Sequence, residues 1–187
     1  MSVETIVFVH GLWMPGQVMM FLKNRLEREH GFRGRLFSYW SVRDGLDHNA
    51  RLLSEFVARC GDGPVHVVGH SLGGVLALRM HARHPEVPPG RVVCLGSPLC
   101  GSRAAAGLGR HPLGNSVLGR SIADGVLLEA ASDWAIPVTE SRDVGIIAGT
   151  LGMGFGRLVA TFDEDNDGTV TVSETRLPGA RDHLSMQ

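Results

Sequence analysis

Residues 64–80 read PVHVVGHSLGGVLALRM and carry the strongest indication of the fold. The apolar, β-branched run from Val65 to Gly69 predicts a buried strand, and Leu72 to Arg83 has the spacing of a helix. Between them Gly69-His70-Ser71-Leu72-Gly73 fits G-x-S-x-G, so a sharp strand-to-helix turn is expected at Ser71. Side chains at the two glycine positions would collide across such a turn. A serine with φ above zero would expose its hydroxyl at the carboxyl end of the strand, beside the free N–H groups of a helix start.

Strands and helices alternate on both sides of this turn. Further strands are predicted at Thr5–Val9, Arg35–Trp40, Arg91–Gly96 and Val144–Ala148, with a short extended piece at Thr169–Val172 and helices at Gly16–Glu29 and Leu46–Cys60. The alternation predicts an α/β fold, with a mostly parallel sheet and helices on both faces. Residues 101–137 break the rhythm and form either an ordinary crossover or a small cap, with a helix predicted over 116–128. The length of 187 residues suits a single domain over 1–187.

Composition excludes several classes of function. The net charge is -1 and Lys and Arg are scattered, so no basic stripe is present for nucleic acid or an anionic membrane. No apolar run reaches about 18 residues, so stable membrane insertion is not expected. Three cysteines, Cys60, Cys94 and Cys100, are too few and odd for a disulfide framework. Because the first residues also lack a secretory signal, a cytoplasmic location is expected, and neither a cofactor nor a metal is expected.

The end of the first strand supplies a second part of a site. Acyl transfer requires two N–H donors aimed at the developing oxyanion. The N–H of Leu72, next to the serine, is one candidate. In His10-Gly11-Leu12 the glycine allows the loop to turn tightly, so that Leu12 can present the other N–H. His10 is expected to brace this loop rather than to transfer protons.

These motifs together carry a family resemblance. Val9-His10-Gly11-Leu12-Trp13 and Gly69-His70-Ser71-Leu72-Gly73-Gly74, about sixty residues apart, resemble the small bacterial lipases and esterases of the α/β-hydrolase superfamily. Asn166-Asp167-Gly168-Thr169-Val170 resembles their acid-bearing turn, and Asp182-His183-Leu184 resembles their histidine segment. The resemblance implies an α/β-hydrolase fold over nearly the whole chain.

A nucleophilic serine needs a base, and the base needs an orienting carboxylate. In this fold the chain order is serine, acid, histidine, and His183 is the histidine that follows the acidic turn. His81 and His84 lie on the helix behind Ser71, and His111 precedes the acid candidates. His183 is therefore the predicted base.

Asp167 is the predicted acid, because its turn is followed by Gly168 and an extended segment, as in the family. Asp163 and Asp165 are the alternatives. Family members usually continue past the catalytic histidine into a final helix, whereas four residues follow His183 here. We therefore also consider that the C-terminal helix is missing and that the base is a histidine beyond residue 187.

A rival motif overlaps the acid. Asp163, Asp165, Asp167, Gly168 and Glu174 fit D-x-D-x-D-G-x5-E, the calcium loop of an EF-hand. Pro178-Gly179 argues against an exiting helix, so a calcium site within a lipase loop is the more plausible form of this alternative.

The predicted function is hydrolysis of carboxylic esters, small or lipid, through an acyl-enzyme on Ser71. Trp13, Met14, Leu99 and Met153 follow strand ends and are expected to contact the substrate. Two alternatives stay open, a non-catalytic α/β-hydrolase fold that binds acyl ligands and a calcium-binding protein acting through 163–174. The oligomeric state is not predicted.

Overall fold

The computed structural model describes residues 3–61, 63–109, 120–122, 124, 126, 130–152 and 164–187. The strands in these ranges are β1 (Thr5–Val9), β2 (Arg33–Phe37), β3 (Val65–His70), β4 (Val92–Leu95), β5 (Val144–Gly149) and β6 (Asp182–Met186). The α-helices are α1 (Met20–His30), α2 (Leu46–Ala58), α3 (Leu72–Arg83), α4 (Arg103–Gly109), α5 (Ala131–Trp134) and α6 (Ile136–Ser141). Short 3-10 helices cover Gly16–Met19 and Ser173–Thr175.

The six strands form one sheet in the order β2-β1-β3-β4-β5-β6, and every neighbouring pair is parallel. The predicted α/β fold with a parallel sheet is thereby confirmed. The chain first steps from β1 outward to β2 and then returns to β3 on the other side of β1. Such a reversal opens a crevice beyond the carboxyl ends of the two central strands. The loop after β1 and the turn after β3 both lie at this crevice.

Hydrophobic residues cover both faces of the sheet. On one face Val7, Val67 and Cys94 pack with the buried sides of α2 and α3 in the main core. On the other face Ile6, Phe8 and Val68 pack with Met19, and α1 adds partly buried leucines. This distribution explains why β1 and β3 read as continuous apolar runs, since strands buried on both faces show no alternation.

The last strand, β6, was not among the predicted strands. Its five residues are exposed and mostly polar, because β6 is an edge strand with a neighbour on one side. The side chains of Leu184 and Met186 are 59% and 55% exposed. An edge strand of this composition carries little hydrophobic signal in its sequence. Thr169–Val172 was predicted as extended and instead belongs to a turn, closed by a single antiparallel bridge between Asn166 and Thr171.

The segment predicted as a crossover or cap contributes α4, α5 and the start of α6. Much of it, including most of the helix predicted at 116–128, lies outside the described residues. Ser132 at the start of α5 donates its N–H to the carbonyl of Leu99, 2.8 Å away, which fixes α5 beside the loop after β4.

The sequence analysis did not expect membrane insertion or a disulfide framework, and the structure describes the features on which both expectations depend. Among the helices of the described ranges, none has the length and apolar character needed to span a bilayer. The three cysteines are unpaired; Cys60 and Cys94 are buried and Cys100 is exposed.

Candidate active site

Ser71 occupies a strained turn between β3 and α3, with φ 53° and ψ −124°. Residues other than glycine rarely adopt this region, because the side chain crowds the backbone. The Ser71 N–H donates to the carbonyl of Leu95 at 2.8 Å, and the Gly74 N–H donates to the carbonyl of Ser71 at 3.0 Å. Backbone hydrogen bonds thus hold the turn on both sides, with the half-buried serine at the carboxyl edge of the sheet.

The glycines around Ser71 are required by close backbone approaches. A Cβ at Gly69 would overlap the carbonyl of Gly73, and one at Gly73 would overlap the carbonyl of Val9. The first contact closes the turn on itself, and the second lets α3 begin directly against the end of β1. Because these positions lack side chains, the serine turn can lie in direct contact with the end of β1.

The loop after β1 lies against the serine. A Cβ on Gly11 would be 3.1 Å from the Cβ of Ser71 and 3.3 Å from the carbonyl oxygen of His70. Leu12 follows immediately. Leu72 is the first residue of α3, so its N–H has no acceptor within the helix. The two predicted oxyanion donors therefore belong to the two backbone segments that flank Ser71.

His10 braces this loop, as expected from the sequence. Its Nδ1 donates to the carbonyl of Gly11 at 2.8 Å, and its Nε2 accepts the N–H of Tyr39 at 3.2 Å. The two rings stack with centroids 4.5 Å apart, and the Tyr39 hydroxyl donates to the His10 carbonyl. Burial lowers the pKa of His10, while its hydrogen bond to Gly11 acts in the opposite direction. A neutral imidazole with both nitrogens occupied serves the loop rather than proton transfer.

Asp167 lies over the carboxyl ends of β4 and β5. Its Oδ1 accepts the N–H groups of Thr169 and Val170, both at 2.8 Å. Its Oδ2 would be 2.8 Å from a Cβ on Gly96, the residue after β4, and its Cβ would be 2.8 Å from one on Gly149. One oxygen is thus held by its own turn, and the other is directed toward the strand next to β3.

His183 is in a different place. It lies within β6, in register with Ile146 of β5, and its Nε2 is 2.9 Å from the hydroxyl of Thr175. The Thr175 hydroxyl also donates to the carbonyl of Val172 at 2.7 Å, so Nε2 is the donor toward Thr175. Three strand spacings, on the order of 14 Å, separate β6 from β3. The structure brings Ser71 and Asp167 to the same edge of the sheet and leaves the His183 ring on Thr175.

His70 is a site neighbour that the sequence reasoning did not single out. Its ring lies beside Gly11, with Nδ1 3.2 Å from the position of a Cβ there. Burial lowers the pKa of His70, and the negative charge of Asp167 opposes that shift. The Asp167 carboxylate therefore acts electrostatically on the residue directly before Ser71. The sequence did indicate that His70 lies near the site, because it directly precedes Ser71.

The predicted substrate-contacting residues separate into three groups. Trp13 and Met14 are 57% and 40% exposed at the loop after β1. Trp13 has φ 57° and donates its N–H to the Ser41 hydroxyl at 3.2 Å. Leu99, in contrast, is fully buried in the main core, so it packs there instead of facing a ligand. Met153 lies outside the described residues.

The segment that matches a calcium loop is organised by protein contacts. Glu174 is buried, and its two carboxylate oxygens accept the N–H groups of Arg103 at 2.6 Å and Thr171 at 2.9 Å. The chain after Glu174 leads into β6 instead of an exiting helix. Asp163 lies outside the described residues. In the described ranges, no group of three or more His, Cys, Asp or Glu side chains is arranged to hold a metal ion.

A parallel sheet with this strand order, a strained serine after its central strand and a carboxylate over the end of the next strand define a hydrolase-type α/β protein. The sequence pattern described as the Alpha/beta hydrolase family matches residues 6–184. The chain belongs to that family, and the resemblance inferred from the motifs is confirmed.

Individual relatives point to bacterial lipases and esterases. Lipase LipV of Mycobacterium tuberculosis is 31% identical over 85 residues, which are 43% of this chain and 33% of that protein. The chain thus matches about a third of the length of this relative.

Among solved structures, the mature form of Bacillus licheniformis lipase BlEst2 superposes with a TM-score of 0.72 at 21% identity, covering 97% of this chain and 82% of that one. The metagenomic carboxyl esterase MGS0156 superposes with a TM-score of 0.67 at 19% identity, covering 96% and 62%. At these identities the likeness shows a shared α/β-hydrolase fold.

Proposed function

We propose that the protein is a serine hydrolase of carboxylic esters, with Ser71 as nucleophile and Asp167 as the acid. The observation that carries the proposal is the strained serine at φ 53°, one strand away from the Oδ2 of a carboxylate whose Oδ1 is held by two N–H groups. Strain of this kind costs about 1–3 kcal/mol and persists where the surrounding fold enforces it. A serine, an acid and backbone donors at one edge of the sheet are the parts that acyl transfer requires.

The chemistry follows from these positions. The Ser71 hydroxyl attacks the ester carbonyl carbon while an imidazole base takes its proton. The N–H groups of Leu12 and Leu72 stabilise the oxyanion of the tetrahedral intermediate. The base then protonates the leaving alcohol, which leaves an acyl-enzyme on Ser71 that water hydrolyses in the same way. Asp167 orients the imidazole and stabilises its charged form.

The base has to stand between Ser71 and the Oδ2 of Asp167. His183, which the chain order selects, would have to leave Thr175 and the ladder of β6 to reach this position. The proposal therefore assigns the base to His183 after release of its ring from Thr175, and His183→Gln tests this assignment.

The substrate is proposed to be an ester with an apolar group, small or lipid. Trp13 and Met14 are exposed directly after the Leu12 N–H, where they can contact the acyl or alcohol portion. The names of the relatives, lipase and carboxyl esterase, support this class of substrate.

The test is covalent labelling by a fluorophosphonate together with hydrolysis of p-nitrophenyl butyrate. The native protein and Ser71→Ala are compared with Ser141→Ala, an exposed serine on α6 that serves as the matched control. We expect the native protein and the control to be labelled and Ser71→Ala not. Asp167→Asn is expected to lower kcat by roughly 10⁴-fold. Equal labelling of Ser71→Ala would sink the assignment.

A second candidate, a non-catalytic member of the fold that binds acyl ligands, is favoured by one observation. The His183 ring is held by Thr175, away from Ser71. If this alternative is correct, no variant is labelled, and decanoate raises the melting temperature of the native protein and of Ser71→Ala equally. In an active protein His183→Gln tests the base, because loss of all labelling would assign that role to His183 and retained labelling would exclude it.

A further inference from the structure

The four residues Thr171-Val172-Ser173-Glu174 form a capping box, a feature that the calcium-loop pattern conceals. The Thr171 hydroxyl accepts the N–H of Glu174 at 3.3 Å, and the Oε2 of Glu174 accepts the N–H of Thr171 at 2.9 Å. This reciprocal pair is the arrangement by which T-x-x-E sequences begin a helix. Here it lies at the start of the short 3-10 helix Ser173–Thr175, whose N-cap residue is Val172. The glutamate that the pattern places as a cation ligand thus serves the backbone of its own loop.

The capping box is continuous with the hydrogen bonds of Asp167. Thr169 and Val170 donate their N–H groups to Asp167 Oδ1, and the next residue, Thr171, donates to Glu174 Oε2. Two carboxylates therefore take three consecutive N–H groups. Because adjacent peptide planes are linked, the orientation of the Thr171 peptide limits how the Val170 N–H can point at Asp167.

Glu174 also fastens this loop to the segment after β4. Its Oε1 accepts the N–H of Arg103 at 2.6 Å, and its carbonyl accepts the N–H of Cys100 at 2.9 Å. The same segment begins at Gly96, against which the Oδ2 of Asp167 lies. The loop that carries Asp167 and Glu174 is thus attached to the segment after β4 at two points. Asp167 lies above the end of β4, and Glu174 binds Cys100 and Arg103 further along that segment.

The buried carboxylate of Glu174 lies next to a positive charge. The side chain is 6% exposed, and an isolated buried carboxylate would be costly. The Arg103 guanidinium lies 3.5 Å from Oε1 and donates to the Thr171 hydroxyl at 3.1 Å. A shallow depression of about 390 Å³ opens beside this junction and is lined by residues 100–103, 106, 173 and 174, so it does not include Ser71.

We propose that Glu174 is a positioning residue for Asp167: its capping box and its bond to Arg103 fix the loop in which the acid is held. The proposal rests on the proposed function, since Asp167 is the acid there. Without Glu174 the Thr171 N–H and the Arg103 N–H lose their acceptor, and the turn that aims Asp167 at Gly96 is released. A displacement of about 1 Å at a catalytic group can cost roughly 10²-fold in rate.

The kinetic test compares Glu174→Ala and Glu174→Gln with Glu55→Gln, which removes an exposed carboxylate from an ion pair on α2. Glu174→Ala is expected to lower kcat for p-nitrophenyl butyrate about 100-fold, with KM changed less than about twofold, because ground-state contacts are kept. Glu174→Gln keeps one acceptor oxygen and is expected to lose less. Equal kcat in all three variants overturns the proposal, as does a loss confined to KM.

A second measurement does not depend on activity. The amide proton resonances of Thr169 and Val170 report their hydrogen bonds to Asp167. In Glu174→Gln we expect both to shift upfield together with that of Thr171, whereas an independent Asp167 turn would leave the first two unchanged and refute the coupling. Thr171→Val is nearly isosteric and breaks the other half of the capping box, so it replaces any Glu174 variant that does not fold. Activity that survives in Ser71→Ala would defeat the proposed function while the amide resonances still decide on Glu174.

Discussion

Replacing Ser71 by glycine is expected to stabilise the protein relative to replacing it by alanine, although both changes remove the hydroxyl. At φ 53° and ψ −124° an alanine keeps the crowding of Cβ against the backbone, whereas glycine does not. Relief of such strain is worth about 1–3 kcal/mol. Glycine also gives the unfolded chain more freedom, which costs about 0.4–1 kcal/mol. The difference leaves Ser71→Gly more stable by roughly 1 kcal/mol.

The assay is urea denaturation followed by far-UV circular dichroism, with the free energy of unfolding extrapolated to water at constant m. For a chain of 150–250 residues, 1 kcal/mol corresponds to about 2–4 °C in Tm. Ser141, the last residue of α6, supplies the control. There glycine should be less stable than alanine, because helix propensity disfavours it.

The reasoning is refuted if Ser71→Gly and Ser71→Ala unfold at the same urea concentration, or if glycine is the less stable of the two at both serines. Either outcome would mean that the turn carries no stored strain. A higher free energy of unfolding for Ser71→Gly would show that the strained serine turn lowers the stability of the protein, which is expected of a functional position.

Three further changes test other parts of the molecule. Gly73→Ala should destabilise the protein by about 1–3 kcal/mol and abolish labelling of the serine, since the new methyl group meets a backbone carbonyl that cannot yield; urea denaturation and the fluorophosphonate probe check this. His81 is 4% exposed, neither ring nitrogen has a hydrogen-bond partner among the described residues, and burial, with a smaller effect of Arg142, lowers its pKa to about 3 from 6.5. Below pH 6.5 the unfolded chain binds a proton at His81 that the folded protein does not, so the free energy of unfolding falls by about 1.4 kcal/mol for each pH unit below 6.5. His81→Leu should therefore reduce the pH dependence of unfolding below pH 6.5. An unchanged slope would contradict the burial argument. Trp13→Ala should lower kcat/KM for p-nitrophenyl decanoate about tenfold more than for the acetate, and equal losses would remove Trp13 from the acyl contact.

Local sequence was sufficient for the centre of the sheet. β1, β3 and α3 are long enough, apolar enough and bounded clearly enough by glycines that their pattern alone predicts them. The edge strand β6 could not be predicted in the same way, because its polar, exposed residues are held by pairing with β5 and carry no periodic hydrophobic signal. This omission has a functional consequence, since His183, the predicted base, lies within that strand.

Local sequence was enough to predict the turn at Ser71, the loop of Gly11 beside it and the family, because each depends on residues close together in the chain. Backbone conformation is set locally by glycine positions and by apolar runs on either side. What surrounds the serine depends on tertiary structure: Asp167 lies over Gly96, Glu174 binds the N–H of Arg103, and His183 lies in β6, three strands from β3. These relations follow from strand order and register, which bring together residues far apart in the chain and which no local pattern encodes.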